Sequence, residues 1–367
     1  MWEGACLVKR VLLREGNILK YTNFALYQSH AELSISINVI VTVFMLKYFT
    51  FVFWKRKFIS LKKLIAWKLF PYTERIRKNR IKRQINYYKA KGFLPVEVGS
   101  DAGIGAKLLW YLQILLYCKE NNLKPYIKFT YDDNREEDYF NQFIASKYTI
   151  PNDIKYIRIV TLWDLNFGEH YDKNKLSVEM ANSLAQEFIT IKKEFIDEAN
   201  SFASSHFGND KVLGVHYRST DKITEAGFVS HQTALANIDH CFKHFNHFNK
   251  IFISTDDNKF IEFLKHSHLS SYICYRQDTY RSDDEKAVHT RLDVDRFNMN
   301  KDAIVNMLIL TKCSFIIKTA SNLSAISLFL NPSIPYMLLN IMYKLYFPDN
   351  EFSVKAALKP VEGVVAK

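Results

Sequence analysis

The residues from Lys211 to Glu225, KVLGVHYRSTDKITE, join a short apolar run to a dense group of polar side chains. The apolar part, which ends at Val215, has the pattern of a buried strand. The residues that follow it are too polar for a core: His216, Arg218, Ser219, Thr220, Asp221, Lys222 and Glu225. Because the strand stops where these groups begin, we expect them at its carboxyl edge, where open α/β sheets bind their ligands.

The polar side chains of this stretch suit an anionic ligand and proton transfer. Arg218 can donate two parallel hydrogen bonds to a phosphate, because its guanidinium is a planar fork. Asp221, Lys222 and Glu225 place two carboxylates beside an ammonium, and one of those acids can accept a proton. A solvated, salt-bridged turn after a strand is the alternative interpretation.

The second half of the chain alternates between short apolar strands and helices. Strands are predicted at residues 212–217, 251–254, 272–275, 314–318 and 336–339, and helices at residues 232–245, 258–266, 302–311 and 323–330. Such alternation implies right-handed crossovers and a parallel sheet. Residues 207–345 are therefore expected to form a doubly wound, nucleotide-type domain.

The preceding residues, 92–206, are expected to form an α/β domain of their own. Its predicted elements are strands at 93–98, 126–129 and 154–162, a helix at 106–120 and a long amphipathic helix at 178–206. Gly103 and Gly105 belong to a glycine-rich turn between the first strand and the first helix. This order resembles the first unit of a nucleotide-binding domain, although the glycine spacing differs from G-x-G-x-x-G.

Three stretches, in order along the chain, resemble the signatures of the α1,6-fucosyltransferase superfamily. They are GVHYRSTDK (residues 214–222) with Glu225, IFISTDDNKFIEFL (251–264) and AIVNMLILTKCSFIIKTASNLSAISLFLNP (303–332). That superfamily includes the core α1,6-fucosyltransferases, the rhizobial nodulation fucosyltransferases and, more distantly, the protein O-fucosyltransferases.

The resemblance implies an α/β fold of the GT-B type, with two facing Rossmann-like domains. Residues 92–206 would form the acceptor side and residues 207–345 the nucleotide-sugar side. It also implies transfer of fucose from GDP-fucose to a glycan hydroxyl, of the α1,6 type, with inversion. No metal or other cofactor is expected, and GDP-fucose is a donor substrate.

The resemblance also implies roles for residues of the first motif. Arg218 corresponds to the arginine that binds the β-phosphate, and His216 to the histidine near guanine. Glu225 corresponds to the general base and Lys222 to its partner, although the core enzymes have one more residue between the two. The core enzymes also carry a second arginine where this chain has Ser219. The predicted catalytic residues are thus Glu225, Lys222 and Arg218, and the predicted donor-binding residues are His216, Arg218, Asp221, Asn306, Thr319, Ser321 and Asn322.

The third motif supplies the remaining donor contacts. The aspartate that holds the guanine edge in the family falls on Asn306, which offers one carbonyl acceptor where aspartate offers two. Thr319, Ser321 and Asn322 lie at a strand-to-helix turn, where hydroxyls and backbone N–H groups suit phosphate. Plain N-capping of the helix is the alternative for this turn.

Two pairs of carboxylates leave alternatives open. Asp256 and Asp257 resemble a Thr-Asp-Asp of the family, but an acidic helix N-terminus explains them equally well. Asp293 and Asp295 form a D-x-D of the kind that holds Mn²⁺ in another glycosyltransferase architecture. Because this pair follows a charged, irregular run rather than a strand, we predict a loop there. A nucleotide-sugar-binding protein without catalysis, or a membrane-tethered scaffold, is the alternative from a different functional class.

The formal net charge of +12 is concentrated in one segment of the 367-residue chain. Residues 55–91 hold fourteen Lys and Arg residues against one acid, Glu74, so their local charge is +13 and the remainder is near −1. A strongly basic protein raises nucleic acid as a partner, but the region of the predicted site is close to neutral. The basic segment instead predicts contact with an anionic membrane surface, and a solvated basic helix is the alternative.

The N-terminal segment, residues 1–91, combines an apolar run at 35–54 with a basic helix at 55–91. As a helix, the run reaches about 30 Å, enough to cross a bilayer, although Lys47 makes a span borderline. An interfacial or buried helix is the alternative. The basic flank after the run predicts catalytic domains in the cytoplasm, where a lipid-linked or other glycan would be the acceptor. Five scattered cysteines fit a reducing compartment, and residues 346–367 are expected to be a tail.

Overall fold

The structure, a computed structural model, describes residues 73–130, 139–145, 147–148, 154–159, 176–218, 227–245, 248–284, 288 and 294–340. The chain divides into two compact units, Met1–Ile76 and Arg77–Lys367. The apolar run 35–54, the basic residues 55–72 and the tail 346–367 lie outside the described residues. None of the helices in the described part combines the length and the apolarity that crossing a membrane requires.

The first part of the larger unit is a small parallel sheet with helices around it. Residues 73–89 are helical (α1), followed by β1 (Phe93–Gly99), α2 (Ile104–Glu120), β2 (Lys124–Thr130), β3 (Ile144–Ala145) and β4 (Ile157–Ile159). The strand order is β2-β1-β4, and all pairs are parallel. Helix α2 is apolar almost all round and is correspondingly buried on most of its surface, as expected for a core helix.

The predicted long helix at 178–206 is wrong, because the structure divides it into α3 (Val178–Phe188) and α4 (Lys193–His206). The break is β5 (Thr190–Ile191), which pairs antiparallel with β3. The β-branched sequence Ile189-Thr190-Ile191 disfavours a helix and suits an extended chain. Periodicity did not reveal the break, since Phe188, Ile191 and Phe195 are all buried and continue the apolar spacing.

The second sheet agrees with the predicted alternation of strands and helices. Its elements are β6 (Val212–Tyr217), α5 (His231–His244), β7 (Lys250–Thr255), α6 (Asn258–Lys265), β8 (Ile273–Cys274), α7 (Arg296–Leu310), β9 (Phe315–Lys318), α8 (Asn322–Leu330) and β10 (Tyr336–Leu338). The order is β10-β9-β6-β7-β8, with every pair parallel. Helices α5 and α6 cover one face, and α7 and α8 cover the other. The sheet is therefore doubly wound.

Helix α7 begins six residues earlier than the predicted helix at 302–311. Asp295 is its N-cap, because its side chain accepts hydrogen bonds from Phe297 N at 2.9 Å and from Asn298 Nδ2 at 2.7 Å. The first turns of α7 contain asparagine and charged residues, so the apolar periodicity that predicts a helix is absent there. Asp295 thus has a capping role, and its D-x-D partner Asp293 lies outside the described residues.

The main apolar core of the larger unit takes residues from both sheets. It includes Leu94 and Val96 of β1, Leu112 of α2, Ile304 of α7 and Phe329 of α8. A second core lies on the other face of the second sheet, under α5 and α6. The division into facing domains at residue 206 stays a prediction.

Candidate functional site

The order of the second sheet locates a crevice at its carboxyl edge. From β6 the chain passes through α5 to β7 on one side, whereas β9, reached through α7, lies on the other side of β6. The direction of winding therefore reverses between β6 and β9. In open α/β sheets, ligands bind outside the carboxyl ends of the strands at this reversal. His216 and Arg218 follow β6 to this point, and Lys318 and Thr319 follow β9.

His216 lies in one row across the sheet with Lys318 and Ser254, each being in register with it. Its Nδ1 is 3.2 Å from Ser254 Oγ. Its Nε2 is buried and has no hydrogen-bond partner among the described residues. Burial, reinforced by the positive charges of Lys318 and Arg218, lowers the pKa of His216 to about 3. The imidazole is therefore neutral at physiological pH.

Arg218 is held at the rim of the crevice by contacts with two neighbouring strands. Its backbone N–H donates to Thr319 Oγ1 at 2.9 Å, and Thr319 N donates to the His216 carbonyl at 2.9 Å. The Arg218 Nε lies 3.6 Å from Asp256 Oδ2, and both side chains are about one-fifth exposed. The guanidinium is therefore oriented by Asp256 and close to solvent, as a receptor for an anion requires.

The adjacent acid, Asp257, has a structural role. Its side chain accepts the hydrogen bond from Phe260 N at 3.2 Å as the N-cap of α6, and its other oxygen is 3.0 Å from His231 Nε2. The two predicted carboxylates thus separate: Asp256 belongs to the crevice and Asp257 caps a helix.

The turn between β9 and α8 brings Thr319, Ser321 and Asn322 to the same edge. Ser321 occupies the N-cap position, but its side chain makes no capping hydrogen bond, so simple capping does not account for this serine. The Asn322 Oδ1 is buried without a hydrogen-bond partner among the described residues. The first turn of α8 also directs the positive end of its helix dipole at the crevice.

The glycine-rich turn of the first sheet approaches this same helix start. Gly103 is the N-cap of α2, and a Cβ on Gly105 would lie 2.7 Å from the backbone nitrogen of Leu323 in α8. Only glycine leaves room for this contact without a shift. The structure therefore gives Gly105 a packing role that joins α2 to the first turn of α8.

Asn306 lies on α7 and is buried. Its Nδ2 is 3.4 Å from Thr279 Oγ1, at the limit of a hydrogen bond. Its Oδ1 is buried and has no partner in the described part of the chain. A buried amide acceptor of this kind suits a ligand that presents N–H groups.

Lys318, which sequence analysis did not single out, is completely buried at the end of β9. Its Nζ has no hydrogen-bond partner among the described residues and lies 5.6 Å from the centre of the Tyr336 ring. Burial lowers the pKa of Lys318 to about 7. Lysine is almost never fully buried without a partner. The only sequence signal was a lysine that ends an apolar strand next to the conspicuous turn.

The predicted residues Asp221, Lys222 and Glu225 lie outside the described residues, so their roles stay predictions. In the described ranges, no group of three or more His, Cys, Asp or Glu side chains is arranged to hold a metal ion.

Four buried polar atoms without a hydrogen-bond partner lie on the elements that form this crevice: His216 Nε2, Lys318 Nζ, Asn306 Oδ1 and Asn322 Oδ1. Each such atom costs roughly 1–3 kcal/mol when it stays unsatisfied. Native proteins keep few of them, and those they keep need an explanation. A ligand that offers negative charge together with hydrogen-bond donors and acceptors would satisfy this set.

Comparisons with known proteins yield similar structures. No protein-family model and no curated protein matches the chain. NodZ α1,6-fucosyltransferase co-crystallised with GDP is 15% identical, and the match covers 66% of this chain and 92% of that chain with a TM-score of 0.45. A mutant of Arabidopsis thaliana FUT1 in complex with GDP is 10% identical, and the match covers 71% of this chain and 73% of that chain with a TM-score of 0.42. POFUT1 in complex with GDP-fucose is 9% identical, and the match covers 67% of this chain and 97% of that chain with a TM-score of 0.40.

Proposed function

We propose that the chain is a glycosyltransferase that moves fucose from GDP-fucose to a glycan hydroxyl, with inversion and with α1,6 linkage. The observation that carries the proposal is the group of buried polar atoms that have no partner among the described residues, on the strands and helices around the reversal point of the second sheet, with Arg218 at the rim of the crevice. The motif resemblance supports GDP-fucose as the ligand. GDP-fucose offers a diphosphate for the cationic groups and a base with both donors and acceptors for the amides and the imidazole.

His216, Asn306, Arg218 and helix α8 have distinct parts in this proposal. Neutral His216 and Asn306 accept hydrogen bonds from the guanine edge. Arg218 and the first turn of α8 bind the diphosphate. Negative charge grows on the β-phosphate as GDP leaves, so these groups stabilise the transition state more than the ground state.

The proposed base, Glu225, removes the proton from the acceptor hydroxyl, and Lys222 assists it. The hydroxyl oxygen then attacks the anomeric carbon as the bond to the β-phosphate breaks. A single displacement of this kind inverts the configuration at that carbon. It needs no electrophile beyond the cationic groups around the diphosphate.

Binding of GDP tests the donor assignment. We expect GDP to raise the unfolding temperature of the protein, because a ligand that binds only the native state stabilises it. The substitution Arg218→Ala should weaken GDP binding by at least ~2 kcal/mol, roughly 30-fold, by removal of charge-assisted hydrogen bonds. Titration calorimetry of both proteins with GDP, and with GDP-fucose, measures the effect.

A matched control for Arg218→Ala is Arg158→Ala, because Arg158 is an exposed arginine at the edge of the first sheet and also pairs with a carboxylate, that of Glu97, at 3.6 Å. This control should bind GDP as the unmodified chain does. If Arg218→Ala binds GDP as tightly as the unmodified chain, the assignment of Arg218 to the diphosphate is refuted. A protein that binds GDP-fucose but never transfers fucose would be a binding protein rather than an enzyme.

The proposal also places the enzyme at an anionic membrane surface, with its catalytic residues in the cytoplasm. Helix α1 buries Ile81 and Ile85, while Lys78, Lys82 and Arg83 are exposed. Basic side chains on one helix attract anionic lipid by about 1 kcal/mol per charge. A membrane-bound position would give the enzyme access to a lipid-linked glycan.

Flotation with vesicles tests this surface. Binding to vesicles that contain anionic phospholipid should weaken by about 2 kcal/mol, roughly 30-fold, when Lys78 and Lys82 are both changed to Gln. The matched control changes Lys211 and Lys259, which are also exposed, to Gln. Equal binding to neutral and anionic vesicles, or an equal loss in both double variants, would contradict the proposal.

A further inference from the structure

Lys318 is the feature of the site that the proposed function leaves unexplained. It is the last residue of β9, and its neighbours in register are His216 on β6 and Leu338 on β10. The three residues therefore point to the same face of the sheet. Gly214 shares that face, and a Cβ there would touch Cys313 and Leu310 at the end of α7. The lysine side chain is therefore directed to the face that α7 and α8 cover.

No carboxylate among the described residues forms an ion pair with Lys318 at this edge of the sheet. In the described part of the elements packed around it, the charged or titratable groups are His216 and Tyr217 on β6, Arg218 after β6, Asp256 after β7, Tyr336 on β10, and Arg296, Lys301 and Asp302 on α7. Asp256 pairs with Arg218, and Asp302 pairs with Arg276 at 2.9 Å. Helix α8 presents only uncharged residues in its first turn. Among the described residues, Lys318 is thus a buried cationic residue to which no carboxylate is paired.

An anion at the crevice would complete this arrangement. Two unit charges about 6 Å apart interact by roughly 3 kcal/mol at an effective dielectric constant of about 20, or about two pKa units. A diphosphate near the end of β9 would therefore hold the ammonium form of Lys318 strongly, even without direct contact. A ligand without phosphate would not stabilise the ammonium form of Lys318 in this way.

We propose that Lys318 is a second cationic group of this site beside Arg218, and that binding of a nucleotide diphosphate brings one proton from solvent to its Nζ. The inference deepens the proposed function, on which it rests, by naming a residue that selects the phosphorylated ligand over the nucleoside. Arg218 is charged at every physiological pH and cannot provide this linkage. His216 stays neutral in the same range because its pKa lies near 3.

The direction in which pH changes the affinity for the anion follows from the protonation state of Lys318 in the free protein. Burial lowers the pKa of Lys318 to about 7 when no anion is bound. Above that pH the free protein holds the neutral amine, so the anion binds only as a proton is taken up. Affinity for the diphosphate should then fall as the pH rises from about 7, and the fall should level off about two pH units higher, where Lys318 loses its proton in the complex as well.

Titration calorimetry in pairs of buffers with different ionisation enthalpies counts the protons taken up. Between about pH 7 and about pH 8.5, where a phosphate group is already ionised, we expect uptake to rise from about half a proton to about one per GDP. The Kd for GDP should increase by about tenfold over the same range. Guanosine should bind with no proton uptake and with a Kd that does not change with pH.

Two variants assign the effect to Lys318. Lys318→Met keeps the length of the side chain without its charge, and it should bind GDP more weakly at about pH 7, with no proton uptake at either pH. Lys312→Met, an exposed lysine at the other end of β9, should behave as the unmodified chain. A cooperative thermal transition in Lys318→Met at or above the temperature of the unmodified chain shows that the variant is folded.

The outcomes separate this inference from the proposed function. GDP binding with the same pH dependence in Lys318→Met overturns the role of Lys318 and leaves the donor assignment intact. If GDP does not bind but inorganic pyrophosphate does, with proton uptake that depends on Lys318, the role of Lys318 in binding an anion is supported. The same result overturns the donor assignment. Binding of neither probe to the unmodified chain overturns both.

Discussion

The substitution Glu225→Gln is expected to lower the rate of fucose transfer by roughly 10²–10⁴-fold, the usual contribution of a positioned general base. The amide keeps the size of the side chain but cannot take the proton of the acceptor hydroxyl. Because Glu225 is proposed to act on the acceptor, the Kd for GDP-fucose should stay within about twofold of the unmodified value. Transfer of labelled fucose to a glycan extract, with calorimetry of donor binding, measures both quantities.

Asp210→Asn is the matched control for Glu225→Gln, since Asp210 is an exposed carboxylate at the opposite end of β6. It should leave both transfer and donor binding unchanged. A parallel loss of donor affinity and rate in Glu225→Gln would show that Glu225 has a structural role. Transfer that stops on chelation and returns with Mn²⁺ would instead support Asp293 and Asp295 as a metal site.

Lys318→Met is expected to raise the free energy of unfolding of the protein without ligand by a few kcal/mol at about pH 6. Burial lowers the pKa of Lys318 from its ordinary value of 10.5 to about 7, and one pKa unit corresponds to about 1.4 kcal/mol. Below about pH 7 both the folded and the unfolded chain carry the charged lysine, so the full cost of its burial is present. A methionine of similar length removes that cost.

The pH dependence distinguishes this effect from a gain in packing alone. Between about pH 7 and about pH 10 the unfolded chain binds a proton at Lys318 that the folded chain does not, so the stability of the unmodified protein rises with pH through this site. The advantage of Lys318→Met should therefore shrink steadily over that range. Urea denaturation of both proteins at several pH values measures the difference. An advantage that does not change with pH would show that the lysine carries no burial cost.

Both predictions depend on the polar edge of the second sheet, which the sequence specified well. Apolar runs of four to six residues, separated by helices of ordinary length, can form a parallel sheet and little else. The structure confirms β6 at its predicted bounds of Val212–Tyr217. Polar residues that directly follow such strands must lie at the carboxyl edge, so His216, Arg218 and Thr319 could be brought to one place from local pattern alone.

Other features were outside the reach of local pattern. The break at β5 depends on pairing with β3, a contact between residues far apart in the sequence. Asp256 and Asp257 are adjacent and chemically identical, yet one pairs with Arg218 and the other caps α6. Their division is set by the end of β7, where consecutive side chains point to opposite sides.

The sequence by itself determined the order of strands and helices in the second sheet, its parallel pairing and the polar groups at its carboxyl edge, because strand and helix periodicities are local properties of the chain. Only the tertiary structure decided that Gly105 lies against Leu323 and that Lys318 is buried beside His216. A strand-end lysine is exposed by default, and its burial follows from the register of β9 with β6 and from the helices packed over that face. Register and packing join distant residues, and no local pattern encodes them.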